Sequence, residues 1–287
     1  MVLEFPVSSY YYAKKREEGP SARDIRDKLL KEKIMEVWDS RKGRKVYGAR
    51  KIWLELNAQG IEVARFTVER LMRDLGIRGA GNRRKRPPTT LPGDPASRPS
   101  DLLDRYFHAG APNRRWVADI TYVKTWSGWV YTAFIMDLFA RRIVGWQVAD
   151  HLRAELALDA LEMAIFVRRD EDLGGLVHHS DRGVQYTAIR YAERLDEERA
   201  VRSVGSKGDS FDNAAAESLN SLYKRELIDP KNDWEGVDDV MLATMDWVQW
   251  YNEERIHSYS GDMPPKKYEE MYYKALESGK LTSSSQI

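Results

Sequence analysis

A proline-rich, basic segment divides this chain and limits how it can fold. Residues 81–100 hold five of the eleven prolines and almost no apolar side chain. Proline fixes φ and lacks the amide donor that helices and sheets use, so this stretch is predicted to be an extended linker. The chain is therefore expected to contain a helical region (1–80), a linker (81–110), a larger domain (111–260) and a C-terminal tail (261–287).

The composition excludes several classes of protein. The chain has no cysteine, which rules out disulfide frameworks, thiolate zinc sites, iron–sulfur clusters and cysteine nucleophiles. Its apolar runs are short and interrupted, and its N-terminus lacks the apolar core of a signal peptide, so no membrane association is expected. With 42% hydrophobic residues, the 287-residue chain can bury a core. A soluble protein of a reducing cytoplasm is expected.

The formal charge is unevenly distributed along the chain. Residues 1–90 carry 22 lysines and arginines against 12 acidic residues, or +10, and the other 197 residues carry 24 against 33, or −9. This distribution is typical of a polyanion-binding module joined to a carboxylate-rich domain. An unevenly solvated surface would give the same numbers, so charge alone does not decide between the two interpretations.

The N-terminal region has the apolar spacing of short helices. They are predicted at 22–40, 51–59 and 65–75. Gly60 and Gly76 mark the ends of the last two. The third helix has Arg65, Arg70 and Arg73 at outward positions, where they are candidates for DNA contacts. Two short helices around a glycine turn indicate a helix-turn-helix, and a small helical bundle with a basic face fits the pattern equally well.

The region after the linker alternates strand and helix patterns. Strands are predicted at 115–124, 129–136, 142–148, 176–179 and 200–203, and helices at 154–167, 186–198, 212–227 and 237–252. The first strand is apolar on both pleat faces, as a central strand covered on both sides would be. The predicted fold is a mixed α/β sheet flanked by helices.

Three acidic residues stand out within this domain. Asp119 is the only charged residue in the otherwise apolar run from Trp116 to Val123, so it must be paired, protonated or bound to a cation. Asp181 ends a buried strand, where ligands of α/β sheets gather. Glu217 follows three alanines on a helix, which allow close approach to the sheet, and Lys224 points the same way two turns later.

These acids offer only oxygen ligands, which suit Mg²⁺ or Mn²⁺ better than Zn²⁺. If they converge, their mutual repulsion raises their pKa values unless a cation neutralises them. Taken singly, each has another interpretation: Asp119 in a buried ion pair, Asp181 in a turn and Glu217 on a solvated helix face.

The segments around the acids form a specific set of motifs. They read NRRWVADITYV, HHSDRGVQY and DNAAAESLNSLYKREL, with 35 residues between Asp181 and Glu217. Further motifs are Tyr47-Gly48-x-Arg50 upstream and Tyr251-Asn252-x-x-Arg255-x-His257 near the C-terminus. Together, over nearly the whole chain, they resemble the DDE transposases of the IS3 type, relatives of the retroviral integrases.

The resemblance implies a fold, a reaction and a set of site residues. The fold would be an RNase H-like mixed sheet flanked by helices, preceded by an all-α helix-turn-helix domain. Asp119 and Asp181 would bridge two Mg²⁺ or Mn²⁺ ions per active site, and Glu217 would hold one. The enzyme would nick DNA at the ends of an insertion element and join the freed 3′-hydroxyl to another strand. Lys224 would contact a DNA phosphate near the cut.

The resemblance also implies partners. The substrate would be double-stranded DNA, both the terminal inverted repeats of the element and the target, bound by a homodimer or a higher oligomer. The chain resembles a second reading-frame product, which frameshifting usually fuses to an upstream helix-turn-helix protein. Its place of action would be the nucleoid, with no membrane partner.

Two other functions stay open. A tyrosine recombinase would cut DNA through a covalent phosphotyrosine without a strict metal requirement. A DNA-binding regulator or partner subunit would be inactive alone.

Several residues have open roles as well. Asp137 is a rival metal ligand, although a place in the turn between two strands or in a pair with an arginine is favoured. His178 and His179 are expected in the core or orienting a carboxylate. The linker run Arg83-Arg84-Lys85-Arg86 fits phosphate contact slightly better than a solvated tether.

Overall fold

The computed structural model describes residues 11, 14, 19–81, 108–181, 183–186, 188–204 and 213–279. The chain divides into two compact units, Met1–Gly81 and Asn82–Ile287. The run Arg83-Arg84-Lys85-Arg86, with most of the predicted linker, lies outside the described residues. Within the described ranges, no helix is both long and apolar enough to cross a membrane.

Three helices form residues 22–74 of the N-terminal unit. They are α1 (Ala22–Asp39), α2 (Ala49–Ala58) and α3 (Arg65–Asp74). Helix α1 begins at a capping box, in which the Asp24 amide donates to the Ser21 hydroxyl and the Ser21 amide donates to the Asp24 carboxylate. Each helix buries apolar side chains, among them Ile34, Ile52 and Leu71. The three helices predicted from apolar spacing are confirmed to within two residues at each end.

The connection between α2 and α3 is short and anchored. Gly60 has a φ of +79°, a left-handed conformation that glycine adopts without steric cost and that ends α2. The Trp53 indole of α2 then donates a 2.8 Å hydrogen bond to the carbonyl of Val63, just before α3. The turn is thus fixed from one side, as a helix-turn-helix requires.

A five-stranded mixed sheet forms the centre of the larger unit. Its strands are β1 (Arg115–Thr125), β2 (Gly128–Asp137), β3 (Arg142–Ala149), β4 (Val177–Ser180) and β5 (Val201–Val204). They lie in the order β3-β2-β1-β4-β5, with β2 antiparallel to β1 and β3, and β4 parallel to β1 and β5. The predicted strands are confirmed to within one residue at each end, with β1 in the centre.

Helices cover both faces of this sheet. They are α4 (Ala154–Val167), α5 (Ile189–Glu197), α6 (Ala214–Tyr223), which continues as a π-helix (Lys224–Ile228), α7 (Val237–Glu253) and α8 (Pro265–Glu277). On one face, Ile135 of β2 joins an apolar cluster with Leu161 of α4. On the other, Phe134 packs edge-on against Tyr223 and Trp247 of α6 and α7. Consecutive strand residues point to opposite faces, so β2 contributes to both cores.

The C-terminal region differs from the prediction of a tail. Residues 265–277 form α8, and its Glu269 is buried in ion pairs with Arg168, at 2.9 Å, and Arg142, at 2.8 Å. Tyr268 and Tyr272 pack their rings on Phe139 of the larger unit. Buried ion pairs and rings, rather than an apolar stripe, hold this helix, which is why the periodicity of apolar residues did not predict it.

Candidate active site

Asp119 lies where the central strand loses one of its two neighbours. Strand β1 pairs with β4 as far as Ala118, opposite Ser180, and Asp119 is the next residue. Its carboxylate accepts a 2.8 Å hydrogen bond from the Ile120 amide and another of 2.8 Å from the side-chain amide of Asn220. Both donors are neutral, so they leave the negative charge of a half-buried carboxylate uncompensated.

Asp181 follows β4 directly. Ser180 pairs with Ala118 in parallel register, so Asp181 and Asp119 lie next to each other, directly after the last paired residues of the two strands. The Asp181 carboxylate accepts a 2.8 Å hydrogen bond from the Gly183 amide. A Cβ at position 183 would lie only 2.9 Å from that carboxylate oxygen, so any side chain there would disturb the acid.

Glu217 comes from a helix that docks on the same region of β1. The residue before α6, Asn213, donates a 3.1 Å hydrogen bond from its side chain to the backbone carbonyl of Ala118. Ala215 and Ala216, two of the three alanines predicted to allow close approach, are buried. Glu217 lies in the first turn of this helix, where the positive end of the helix dipole favours an acid.

Electrostatics link the three acids. Burial, then the neighbouring charge of Asp181, and to a smaller extent that of Glu217, raise the pKa of Asp119 from 3.8 to about 7, against the two hydrogen bonds that lower it. Burial also raises the pKa of Glu217. Asp119 therefore lies within electrostatic reach of both other acids. Among the described residues, no three acidic or histidine side chains are close enough together to hold an ion as they stand.

Lys224 belongs to the same region. It is the first residue of the π-helix after α6, and its ammonium lies 4.4 Å from the centre of the Tyr122 ring. Burial lowers the pKa of Lys224, whereas the carboxylates of Asp229 and Asp119 raise it. The lysine thus lies in the field of Asp119, on the side of β1 that α6 approaches.

Comparisons with known proteins agree with this geometry. An HTH-like domain model matches residues 24–86, and integrase core domain models match 109–210 and 201–265. The chain is 51% identical over 269 residues to the protein designated as transposase of insertion sequence element IS986/IS6110 in Mycobacterium tuberculosis (strain ATCC 25618 / H37Rv), covering 93% of this chain and 95% of that protein. The chain belongs to the insertion-sequence transposases of the IS3 type.

Further relatives of the transposase agree. The transposase of insertion sequence element IS629 from Shigella sonnei is 44% identical over 284 residues, covering 98% of this chain and 93% of the relative. A solved structure of the HTLV-2 integrase catalytic core domain in complex with magnesium shows 15% identity and a TM-score of 0.44, covering 56% of this chain and 99% of that one. The integrase core models and the IS986/IS6110 and IS629 transposases identify the chain as a DNA-cutting and strand-joining enzyme, of a family that generally uses divalent metal ions.

The predicted fold class of the transposase is confirmed. The integrase core models match the residues of its central sheet and flanking helices, and the HTH-like model matches the N-terminal helices. The equal alternative for the N-terminal region, a plain helical bundle, is thereby set aside.

The C-terminal signature of the transposase supports the π-helix. Arg255 and Glu226 form a buried ion pair, with Nη2 donating to Oε1 at 2.6 Å and Nε donating to Oε2 at 3.0 Å. The other terminal nitrogen of Arg255 lies 3.0 Å from Nδ1 of His257. Glu226 is two residues after Lys224, so this network fixes the turn that carries the lysine.

The rival residues have roles inside the fold. Asp137 is fully buried and accepts hydrogen bonds from the amides of Asn113, at 2.8 Å, and Phe139, at 2.9 Å, beside Arg168. This is the pairing with an arginine that was favoured over a metal role. The carboxylate oxygens of Asp137 accept hydrogen bonds that fix the end of β2.

The two histidines beside Asp181 are buried in the core. Nε2 of His178 lies 3.0 Å from the Tyr191 hydroxyl, and Nδ1 of His179 lies 2.9 Å from the Ser203 hydroxyl. Burial lowers the pKa of His178 to about 3, so this ring stays neutral at physiological pH. The expected core role agrees with these contacts.

The arginines of α3 differ in their surroundings. Arg65 pairs with Glu69 at 2.8 Å on the helix surface, and Arg73 is exposed. Arg70 differs from the predicted outward position, because its guanidinium donates to both oxygens of Asp27 in α1, at 2.8 and 2.9 Å. It joins two helices of the N-terminal unit.

Sequence reasoning missed Asn213, Asn220 and Glu226. Asn220 is three residues after Glu217, so it faces the same side of α6, and that spacing is the one signal that could have identified it. The roles of Asn213 and Glu226 depend on contacts with β1 and Arg255, which lie 95 and 29 residues away in sequence.

Proposed function

We propose that the transposase cuts DNA at the ends of its insertion element and joins the freed 3′-hydroxyl to another strand at a site formed by Asp119, Asp181 and Glu217. The observation that carries the assignment is the register of β1 and β4, which places Asp119 and Asp181 next to each other where the two strands separate, with Glu217 near enough to contribute to the raised pKa of Asp119. A half-buried acid with this environment favours a nearby cation.

The donor set fits hard divalent ions. The three acids would hold Mg²⁺ or Mn²⁺, two per active site, and the buried Oδ1 atoms of Asn213 and Asn220, which have no hydrogen-bond partner in the described part of the chain, add oxygens nearby. When bound, such ions activate water or a 3′-hydroxyl and stabilise the leaving oxygen of an in-line phosphodiester displacement.

The neighbouring residues would position the acids and the DNA. Asn220 orients the Asp119 carboxylate by its 2.8 Å hydrogen bond, and Gly183 orients that of Asp181. Lys224 presents a compact positive charge beside Asp119, suited to a DNA phosphate near the cut.

The test is cleavage and joining of element-end DNA by the full chain, with Mg²⁺ and with EDTA. Nicks and joined products are expected with Mg²⁺ only, without a covalent protein–DNA adduct after denaturation. A trapped adduct that forms in EDTA would instead identify a tyrosine recombinase. Specific binding of the end DNA without any cleavage would identify a regulator or a subunit that needs its upstream partner.

The rest of the DNA contact is assigned to basic residues outside the acidic site. Arg65, Arg70 and Arg73 are candidates in the helix-turn-helix, and the run Arg83-Arg84-Lys85-Arg86 is a candidate in the linker. Arg70 would act mainly by holding α3 on α1. A homodimer on paired DNA ends, with one active site per end, is the smallest assembly that both cuts require, and its place of action would be the nucleoid.

The roles of Arg70 and Arg73 in α3 can be distinguished by the salt dependence of DNA binding. Arg73→Ala is expected to weaken duplex binding and to reduce the slope of log K against log salt concentration by about one, because one phosphate contact is lost. The control is Arg70→Ala, which is expected to lower the thermal midpoint of the N-terminal unit because Asp27 loses the nearer of its two arginine partners, Arg70 at 2.8 Å rather than Arg23 at 4.0 Å. Fluorescence anisotropy across a salt series and thermal unfolding measure the two effects. An unchanged slope in Arg73→Ala would contradict the assignment.

A further inference from the structure

A groove of about 780 Å³ lies beside the proposed active site. Four aromatic residues (Tyr122, Trp126, Trp129 and Trp234), three lysines (Lys124, Lys224 and Lys231) and one acid (Asp229) line it, and together they are called the aromatic groove here. It runs along the part of β1 that continues past the pairing with β4 and ends at the turn into β2.

Three of the four aromatic side chains of this groove are unusually exposed. Trp126 is 83% exposed, Tyr122 56% and Trp129 51%, although the packed core accommodates other tryptophans such as Trp116 and Trp247 at 0%. Tyr122 and Trp129 meet edge to face, with ring centres 5.3 Å apart. Exposed aromatic surface grouped in this way is typical of a binding site.

The groove is preorganised rather than formed by a loose loop. The Thr125 hydroxyl donates to the carbonyl of Gly128 at 2.8 Å across the turn. The Trp126 amide donates to the carbonyl of Trp234 at 2.9 Å, and the Ser127 amide donates to that of Glu235 at 3.1 Å. The turn that carries Trp126 is thus anchored to the segment before α7, which limits the ordering cost of binding.

The groove has three lysines against the one acid Asp229, so its net charge of +2 favours an anionic occupant. Lys224 lies over the Tyr122 ring and Lys124 is exposed on β1. Lys231 lies 4.5 Å from the centre of the Trp234 ring and also pairs with Asp239 at 2.7 Å, so its charge is partly used within the protein. Aromatic faces next to ammonium groups are the combination that binds single-stranded nucleic acid, with bases on the rings and phosphates on the lysines.

The groove is also close to the acids. Tyr122 is three residues beyond Asp119 on β1, about 10 Å along an extended strand, and their side chains point to opposite faces. Lys224 connects the two places, because its ammonium lies 4.4 Å from the centre of the Tyr122 ring and within the field of Asp119. A DNA strand whose phosphate is held at the acids would therefore reach the aromatic groove within two or three nucleotides.

We propose that the aromatic groove binds unpaired nucleotides of the DNA strand at the element end, with bases stacked on Trp126 and Trp129 and phosphates beside Lys224 and Lys124. This inference rests on the proposed function, because it identifies the DNA beside the acids as locally single-stranded.

The experiment measures binding of fluorescein-labelled (dT)₁₀ to the full chain by anisotropy. Trp126→Ala and Trp129→Ala are each expected to lower affinity for (dT)₁₀ by about 5- to 150-fold, the range for loss of one stacked base. Trp126→Phe and Trp129→Phe, which keep an aromatic face, retain most of the affinity. Blunt duplex binding stays within about twofold, because phosphate contacts dominate it. The matched control is Phe166→Ala, which removes an aromatic side chain that is 66% exposed outside the groove.

Wild-type affinity for (dT)₁₀ in both alanine variants would overturn the inference, and so would equal losses in the alanine and phenylalanine variants. Failure of the proposed function would give a different result from failure of this inference. If the proposed function is wrong, an active-site variant such as Asp181→Asn cleaves DNA normally. Its binding of (dT)₁₀ is expected to match the wild type.

Discussion

Replacing Asp181 with asparagine is expected to reduce cleavage of element-end DNA by roughly a thousandfold or more, while duplex binding stays within about twofold of the wild type. Asparagine has the shape of aspartate, and its Oδ1 still accepts the hydrogen bond from the Gly183 amide, so the turn after β4 is preserved. The substitution removes one charge and one oxygen ligand. A loss of about 4 kcal/mol of transition-state stabilisation, the order that metal ligation supplies, corresponds to this factor.

Labelled end DNA on a denaturing gel measures cleavage, and anisotropy measures binding. The matched control is Asp172→Asn, the same substitution at an acid that is exposed and paired with Arg199 at 2.9 Å. It is expected to cut normally. Normal cleavage by Asp181→Asn with Mg²⁺ would contradict the assignment of this acid.

Replacing Arg255 with methionine is expected to lower the free energy of unfolding by about 3–5 kcal/mol, because it leaves the buried Glu226 carboxylate without its partner. The pair has 7% and 3% side-chain exposure, so water cannot compensate the charge. The same variant is expected to impair cleavage, because the π-helix that begins at Lys224 loses its anchor. Urea unfolding of the full chain measures the stability.

Two controls distinguish the destabilisation caused by an unpaired buried charge from that caused by a lost contact. The double variant Arg255→Met/Glu226→Met removes both charges and is expected to recover much of the lost stability. Lys266→Met breaks a pair with Glu253 whose side chains are 43% and 42% exposed, and about 1 kcal/mol or less is expected there. If Arg255→Met lost as little stability as Lys266→Met, a structural role for the Arg255–Glu226 ion pair would be ruled out.

The sequence predicted the sheet well because its signals are local. The apolar run of β1 and the alternation in β2 and β3 depend on neighbours within a few residues. Helix α8 was missed because its stability comes from Arg168 and Phe139, far away in sequence. The pairing of Arg70 with Asp27 was missed for the same reason, since Asp27 lies 43 residues earlier.

The candidate site was only partly predictable. Asp119 and Asp181 stood out by their positions in and after buried strands. Glu217 was distinguished only by the three alanines before it, and the resemblance to the transposase family decided its choice. How near it comes to the aspartates depends on the bond from Asn213 to the carbonyl of Ala118, a contact between distant segments that no periodicity reveals.

The most direct test of the shared metal site is anomalous diffraction from crystals of the transposase bound to element-end DNA and soaked with Mn²⁺. The account predicts Mn²⁺ within about 2.0–2.3 Å of carboxylate oxygens of Asp119, Asp181 and Glu217, beside a DNA phosphate. Mn²⁺ bound at the DNA phosphate without Asp119 and Asp181, or with Glu217 turned away from the ions, would contradict it.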